Sequence, residues 1–496
     1  MRRICLALPT NRSCLPAISA LHDEAVYAVS HFDVEVHLLV LDSCGPAVSE
    51  QHAAAVRALP ATPGVVAHHL DEAAQRDFLR RAIDESGVEK PELVLDLMLP
   101  RAVSYGACTN RAFLVAAALG CESVHRRDSD SRYQVVAGEA GRAVAAGQSV
   151  PAGSSVAAGS SGQSGPAGQS GPAGQAVADG PVGGTSPAGD TARPVFPIHH
   201  ELLALGRPAG DAAADVTETD LDAEHAGKPV SMVGSSFVGE MSVDIEEMRR
   251  LDPGAYHDVV GLWAPFDWSA EQKREFADDS FRGAGTEPFH HDHSTLTHVD
   301  PMRVDMCNIA FHGVHESVPL LPATDTIGSD YFLIHLVHDA TLPGVLHNRN
   351  IVNFYTPERR TGPGFTAYQL RFAKFFLSML YLNFVYDRME RAGASLLDER
   401  NQVRTDAIVE LLWESSRLDQ AENVQRLDVL DDAYRRLGGK YAEFADLLAG
   451  SRERLLDEAR RDIEEFAVLT EAWPALVGGA RATGPGLLQR QPDRRP

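Results

Sequence analysis

Between residues 1 and 136, short apolar runs alternate with amphipathic stretches. Arg3–Leu8 reads as a buried strand ending in Pro9-Thr10-Asn11-Arg12, and Cys14–His31 has helical periodicity. Val34–Leu41, rich in leucine and β-branched residues, reads as a second strand that stops at Asp42-Ser43-Cys44-Gly45. Glu50–Leu59 is helical, Gly64–Leu70 strand-like and Glu72–Ser86 an amphipathic helix, while Leu93–Leu99 fits either element. Thr109–Leu119 is an Ala/Leu-rich helix closed by Gly120. Glu122–Arg127 then leads into Asp128-Ser129-Asp130. Strands alternating with helices predict an α/β fold with a mostly parallel sheet flanked by helices.

From Ala137 the composition collapses into Gly, Ala, Ser, Pro and Gln. Glycine recurs every third residue from Gly162 to Gly174, a Gly-X-Y period of about five triplets that is too brief for a triple helix. The expectation is a flexible Gly/Ala/Ser/Pro insertion, extended by acidic and polar residues to Lys228. Order is expected to resume at Pro229, with Val230–Val243 and Arg303–Phe311 as strands. Ser329–His338 reads as a helix and Gly344–Tyr355 as strand-like. From Phe365 the chain reads as nearly all helix, with apolar stripes at Ala407–Trp413, Leu427–Leu437 and Arg454–Leu469. The expected divisions are thus 1–136 and 229–364 as two halves of one α/β unit, 137–228 as insertion, 365–480 as a helical region and 481–496 as a tail.

Charge narrows the function classes. The 496 residues carry 45 Lys+Arg against 69 Asp+Glu, a formal charge of −24. Such acidity argues against nucleic-acid partners and anionic membranes, which both select basic surfaces. The longest apolar run, Phe372–Tyr386, holds Lys374 and Asn383 and is too short to span a bilayer. Six cysteines, none in a C-x-x-C pair, fit buried thiols in a reducing cytoplasm. The opening Met1–Pro9 is too short in its apolar part for a signal peptide.

The candidate chemistry sits at strand ends. In Asp128-Ser129-Asp130 the two carboxylates lie at i and i+2 and point to one side of an extended segment. Side by side they repel unless a cation separates them, and oxygen ligands suit Mg²⁺ or Mn²⁺. Pro9–Arg12 and Asp42-Ser43 close the first two strands. In an open parallel sheet such ends converge on one crevice.

The order and spacing of these segments over residues 3–133 resemble the nucleotide-sugar-binding half of a GT-A glycosyltransferase, and the chain is similar to a bacterial glycosyltransferase-like group. The resemblance implies that Pro9, Thr10, Asn11, Arg12 and Asp42 hold the base and ribose. The Gly-x-x-x-Asn helix of that family is matched by Gly106, Asn110 and Arg111, ahead of the Asp-x-Asp. Here the strand ends His125-Arg126-Arg127 where that family has apolar residues, so either these cations face the diphosphate, with Arg127 as the donor ligand, or the strand is an exposed edge. Further on, Asn308 resembles a sugar-side turn, Asp330 and Asp325 an acidic segment before a helix, and His347 a late metal ligand. The implied activity is a metal-dependent glycosyltransferase. Its Mn²⁺ or Mg²⁺, held by Asp128, Asp130 and His347, would take up charge on the departing diphosphate. Asp330 or Asp325 would be the base of an inverting reaction. The implied partners are a nucleoside diphosphate sugar and a small-molecule or glycan acceptor, with a homodimer through the C-terminal helices also open.

A His-rich stretch, Phe289–His293 and His298-Val299-Asp300, offers two further readings. One is an acceptor loop using Asp292 and His293. The other is a zinc hydrolase with His291, His293 and Asp300 as ligands, although no H-E-x-x-H helix accompanies it. A nucleotidyltransferase and a non-catalytic nucleotide-sugar-binding protein complete the alternatives.

Overall fold

The structure, a computed structural model of the full chain, describes residues 1–137, 142–145, 193–236, 244–280, 292–353 and 359–484. The strands in chain order are β1 (Arg2–Thr10), β2 (Val34–Asp42), β3 (Val65–Leu70), β4 (Ser123–Arg127), β5 (Ser131–Ala137), β6 (Arg142–Ala145), β7 (Arg193–Pro194), β8 (Glu218–Thr219), β9 (Met232–Ser236), β10 (Ser294–Thr297), β11 (Val304–His312), β12 (Gly344–His347) and β13 (Ile351–Asn353). Nine of them form one sheet in the order β3-β2-β1-β4-β11-β9-β12-β10-β8. β1 pairs in parallel with β2 and β4, whereas β11 runs antiparallel to β4 and β9. Both faces of β1 and β2 are covered, which explains their unbroken apolar runs.

The chain steps outward from β1 to β2 to β3 and returns to lay β4 on the other side of β1. This reversal opens a crevice beyond the carboxyl ends of β1 and β4, where ligands bind in open α/β sheets. The helix Tyr105–Leu119 leads into β4. Ser104 Oγ caps it by accepting from the Ala107 N–H at 3.1 Å, and Gly120 ends it at φ 69°. Apolar almost all round, this helix is nearly completely buried.

Two expectations change. Order returns at Arg193, well before Pro229. Val195, Phe196, Ile198 and Leu202 are apolar enough to bury, and they anchor the helix Ile198–Ala204. Composition averaged over the region hides those few residues. β7 also pairs with β5, placing Arg193 opposite Val136. The Gly-X-Y repeat lies outside the described residues.

The helical region is part of the same core and not a separate appendage. Helices Gly362–Ala392, Thr405–Ser415, Ala421–Leu437 and Gly439–Thr483 share one apolar cluster with the sheet and its helices. Trp473 is fully buried and its Nε1 donates to the His315 carbonyl at 2.9 Å. Among the described residues no helix is long and apolar enough to cross a membrane.

Gly479 shows how closely the long C-terminal helix lies on helix Glu72–Ser86. A Cβ there would meet the Ala82 carbonyl oxygen at 2.2 Å, a backbone atom that cannot step aside. Gly479→Ala should therefore destabilise by about 1–3 kcal/mol, despite alanine's better helix propensity. Urea unfolding measures this, and a raised midpoint would contradict the close approach.

Candidate functional site

The crevice between β1 and β4 is a cleft enclosing about 970 Å³ of space between atoms, part of it continuous with solvent. Its walls are Pro9–Arg12 at the end of β1, Leu41 and Ser43 around the end of β2, Leu99–Tyr105 leading into the buried helix, and Asp128 and Ser129 after β4. Arg359 and Arg371, from the start of the helical region, close it. The β1 turn is held by Thr10, whose Oγ1 donates to the Arg12 carbonyl at 2.8 Å and accepts from the Arg12 N–H at 3.3 Å.

Charge sets this cleft apart. Six arginines border it (Arg12, Arg101, Arg111, Arg126, Arg359 and Arg371) against the acids Glu72 and Asp128. In a chain of net charge −24, that concentration gives the cleft a locally cationic lining. A second, mostly apolar pocket of about 580 Å³ shares Asp128 with it and is lined by Leu8, Pro16, Ala17, Leu21, Tyr133 and Ile351.

Asp128 of the Asp-x-Asp pair lines the cleft, with Asp130 two residues on and bonded to the cleft-lining Arg12, so both carboxylates are engaged. Asp130 Oδ2 accepts from Arg12 Nη1 at 2.5 Å, with Arg359 Nη2 3.9 Å away. Burial and the Asp128 charge push the Asp130 carboxyl up, while Arg12 and Arg359 pull it down. Asp128 Oδ2 accepts from the Cys307 thiol at 3.2 Å. Behind them, buried Asp305 is pushed up to about 6 by burial and by Asp128, against the Cys307 hydrogen bonds that lower it.

His347 does not join these carboxylates. It is buried in β12, stacked on His200 with ring centroids 5.3 Å apart, and neither ring nitrogen has a hydrogen-bond partner. Burial holds its pKa far below the usual imidazole value. Among the described residues, the ligand groups close enough to share an ion are Asp42–Cys44–His52 and Asp222–Glu224–His225. The zinc reading gains no support from these positions. His293 and Asp300 belong to neither group, and His291 lies outside the described residues.

The β4 cations divide between the two faces of the sheet, as period two requires. Arg126 faces the cleft and is bonded to Asp330 at 2.5 Å, both buried. Arg127 points the other way, so its assignment to the diphosphate is corrected. It forks onto Glu24 at 2.8 and 3.1 Å and reaches Glu201 at 2.8 Å. His125 joins the same network through Glu201 at 2.7 Å. Nor is β4 an exposed edge, since every residue in it is buried between β1 and β11.

Several other expected donor ligands prove to be architectural. Asp42 is fully buried, accepting from the Cys44 N–H and from His52 and His69, each at 2.9 Å. Burial would raise its pKa, but the bonds from His69, Cys44 and His52 outweigh it and hold the carboxyl well below the usual range. Gly106 is required by packing, because a Cβ would lie 1.9 Å from the Leu321 carbonyl. Asn110 clasps Leu320, donating to its carbonyl at 2.8 Å and accepting from its N–H at 2.7 Å. Arg111 borders the cleft but gives Nη1 to the Met98 carbonyl at 2.7 Å. Asn308 turns inward to Ser235 Oγ at 2.7 Å.

The remaining acids sit in ion pairs or turns. Asp330 is committed to Arg126. Asp325, at φ 48°, lies 3.4 Å from Arg371 and donates its N–H to the Val103 carbonyl. Asp292 lies away from the cleft, bound by His200 at 2.7 Å and by Arg349. His293 hydrogen-bonds Asn348 and Thr295 beside it. Arg101, Arg359 and Arg371 were not among the expected ligands, and Arg126 was expected only as one of the three strand-end cations. The i, i+2 alternation of β4 contains the signal for Arg126, but the other three reach the cleft only through the tertiary fold.

Residues 2–147 and 189–489 match a family of unknown function, DUF6271, and the chain belongs to that family. No curated protein matches it.

Proposed function

We propose that this DUF6271 member transfers a sugar from a nucleoside diphosphate sugar, bound in the β1–β4 cleft, to a small-molecule or glycan acceptor. One observation carries the reading. An acidic protein gathers six arginines around a cleft at the sheet's topological reversal, where a nucleotide would lie. Leu41, Leu99 and Val103 offer an apolar wall for a base, and the arginines offer forked donors for phosphate oxygens. The apolar pocket beyond Asp128 suits an apolar part of the acceptor.

The residues present do not fit a Mn²⁺ or Mg²⁺ ion at the Asp-x-Asp. Asp130 is bonded to a guanidinium, Asp128 accepts a thiol, and His347 is elsewhere. No step is therefore routed through a metal. In the transfer, an acceptor hydroxyl oxygen bonds to the anomeric carbon as the bond from that carbon to the diphosphate oxygen breaks; the hydroxyl proton passes to a base or to the departing diphosphate, on which negative charge grows. Exposed Arg101 is the cleft arginine offered to that charge, whereas Arg12, Arg126, Arg359 and Arg371 would meet it by exchanging or sharing their carboxylate partners. Asp330 holds Arg126 in position, which leaves Asp325, paired with the cleft-lining Arg371, as the other expected base.

Thermal shift against UDP-, GDP-, ADP- and dTDP-sugars, followed by assay of nucleoside diphosphate release, tests the reading. At least one donor should raise the melting temperature and be cleaved. A shift without cleavage would leave a binding protein, and no shift with any donor would refute the site. Exposed Arg101→Ala should weaken the best donor about tenfold, roughly 1.4 kcal/mol, with the melting temperature unchanged.

A further inference from the structure

The geometry points to Asp128 as the general base of the transfer, acting on the hydroxyl of an acceptor whose apolar body sits in the pocket lined by Leu8, Leu21 and Tyr133. The assignment rests on the sugar-transfer reading above and names the base and the acceptor class which that reading leaves open.

Asp128 alone lines both the cleft and the apolar pocket. The strand order β3-β2-β1-β4 spreads the walls of the cleft from Glu72, just past β3, to Asp128, just past β4. The apolar pocket begins at the Asp128 end, between β1, β5 and the helix Leu15–His31. A donor in the first and an acceptor in the second therefore meet at this carboxylate. Three other polar side chains of the apolar pocket are committed internally, Arg127 to Glu24 and Glu201, Ser131 to Asn353, and Tyr133 to Glu24.

Asp128 is also placed to take a proton. Its Oδ2 accepts from the Cys307 thiol at 3.2 Å and its Oδ1 from the Ser129 N–H at 3.1 Å, and each oxygen keeps a further lone pair. Burial, with the Asp305 and Asp128 charges, pushes the Cys307 thiol well up, so it stays a donor and orients the carboxylate. The acids nearby differ. Asp130, Asp330 and Asp325 each face an arginine, so a proton accepted there first breaks an ion pair. In the step, the acceptor O–H proton passes to an Asp128 oxygen as the hydroxyl oxygen bonds to the anomeric carbon. The bond from that carbon to the diphosphate breaks with its electron pair on the diphosphate, and Asp128 then returns the proton to water. This single displacement inverts the anomeric centre.

The test uses the full chain, the best donor of the thermal-shift screen, and two acceptor probes at about pH 8. One is 4-nitrophenol, largely ionised at that pH, and the other is 4-methylphenol, which is not. Asp128→Asn should cut transfer to 4-methylphenol by about 10²–10⁴-fold. Transfer to 4-nitrophenol should fall less than about tenfold, because an acceptor that arrives ionised needs no base. The donor Kd should stay within about threefold of the parent's. Ala20→Phe, on the wall of the apolar pocket, should raise KM for both phenols about tenfold and leave the donor Kd unchanged. Proton NMR of the product should show inversion. Equal losses with the two phenols, loss of donor binding in Asp128→Asn, a retained anomeric centre, or a parent that cleaves donor but glycosylates neither phenol would each overturn the assignment and leave donor cleavage standing. A parent that binds and cleaves no donor overturns sugar transfer itself, and the assignment with it.

Discussion

Replacing Arg127 with alanine should destabilise the protein by about 3–5 kcal/mol, while the folded fraction binds its donor with unchanged affinity. Arg127 is buried beneath the sheet, bonded to Glu24 and Glu201, and Tyr133 hydrogen-bonds the same Glu24. Burial opposes the charge on Arg127, and the two carboxylates more than offset it. Removing the guanidinium leaves two fully buried carboxylates facing each other without a cation. Urea unfolding with a parallel donor titration measures both quantities. Unchanged stability together with lost donor binding would put Arg127 back at the diphosphate.

The second large effect has the opposite sign. Asp339 ends the helix Phe332–Asp339, and burial together with the Glu390 carboxylate pushes it up to about 8. One of its oxygens has no hydrogen-bond partner. The group is thus protonated in the folded protein at neutral pH and ionised in the unfolded chain. Its pKa is raised on folding, so stability is fully present below the unfolded value near 4 and declines as pH rises to about 8. Over that window the loss approaches ~1.4 kcal/mol per pH unit. Asp339→Asn should stabilise the protein by about 2–4 kcal/mol at pH 7, the amide keeping part of the burial cost, and by almost nothing at pH 4. Unfolding free energies at the two pH values check this. Equal pH slopes for the variant and the parent would refute it.

Much of the sheet was legible because both of its faces are covered. Apolar runs such as Arg3–Leu8 and Val34–Leu41 announce buried parallel strands, which in the structure run on to Thr10 and Asp42, two residues and one residue past the expected ends. The convergence of Pro9–Arg12 with Asp128 also followed from strand order, since β1 and β4 are neighbours. What the sequence could not disclose is which polar groups are consumed internally. Asp42 looks like a ligand until His52 and His69 are seen to fill its acceptors. Arg127 resembles a phosphate ligand until the pleat turns it toward Glu24 and Glu201. Arg359 and Arg371 lie more than two hundred positions beyond Arg12 and enter the cleft only because the helical region folds back over it. Local pattern carries the elements, whereas the pairing of charges over such separations is a property of topology.

The pairing of β5 with β7 has a consequence for how this chain can vary. Val136 and Arg193 are partners in one ladder although 57 positions separate them. The described chain on either side of the long low-complexity stretch therefore meets in one ladder, so the two points that stretch connects are adjacent. Closure entropy grows only with the logarithm of loop length, so a twofold change shifts stability by about 0.6 kcal/mol. On closure entropy alone, gaining or losing repeats between these two points costs little, because the ladder that fixes them stays the same.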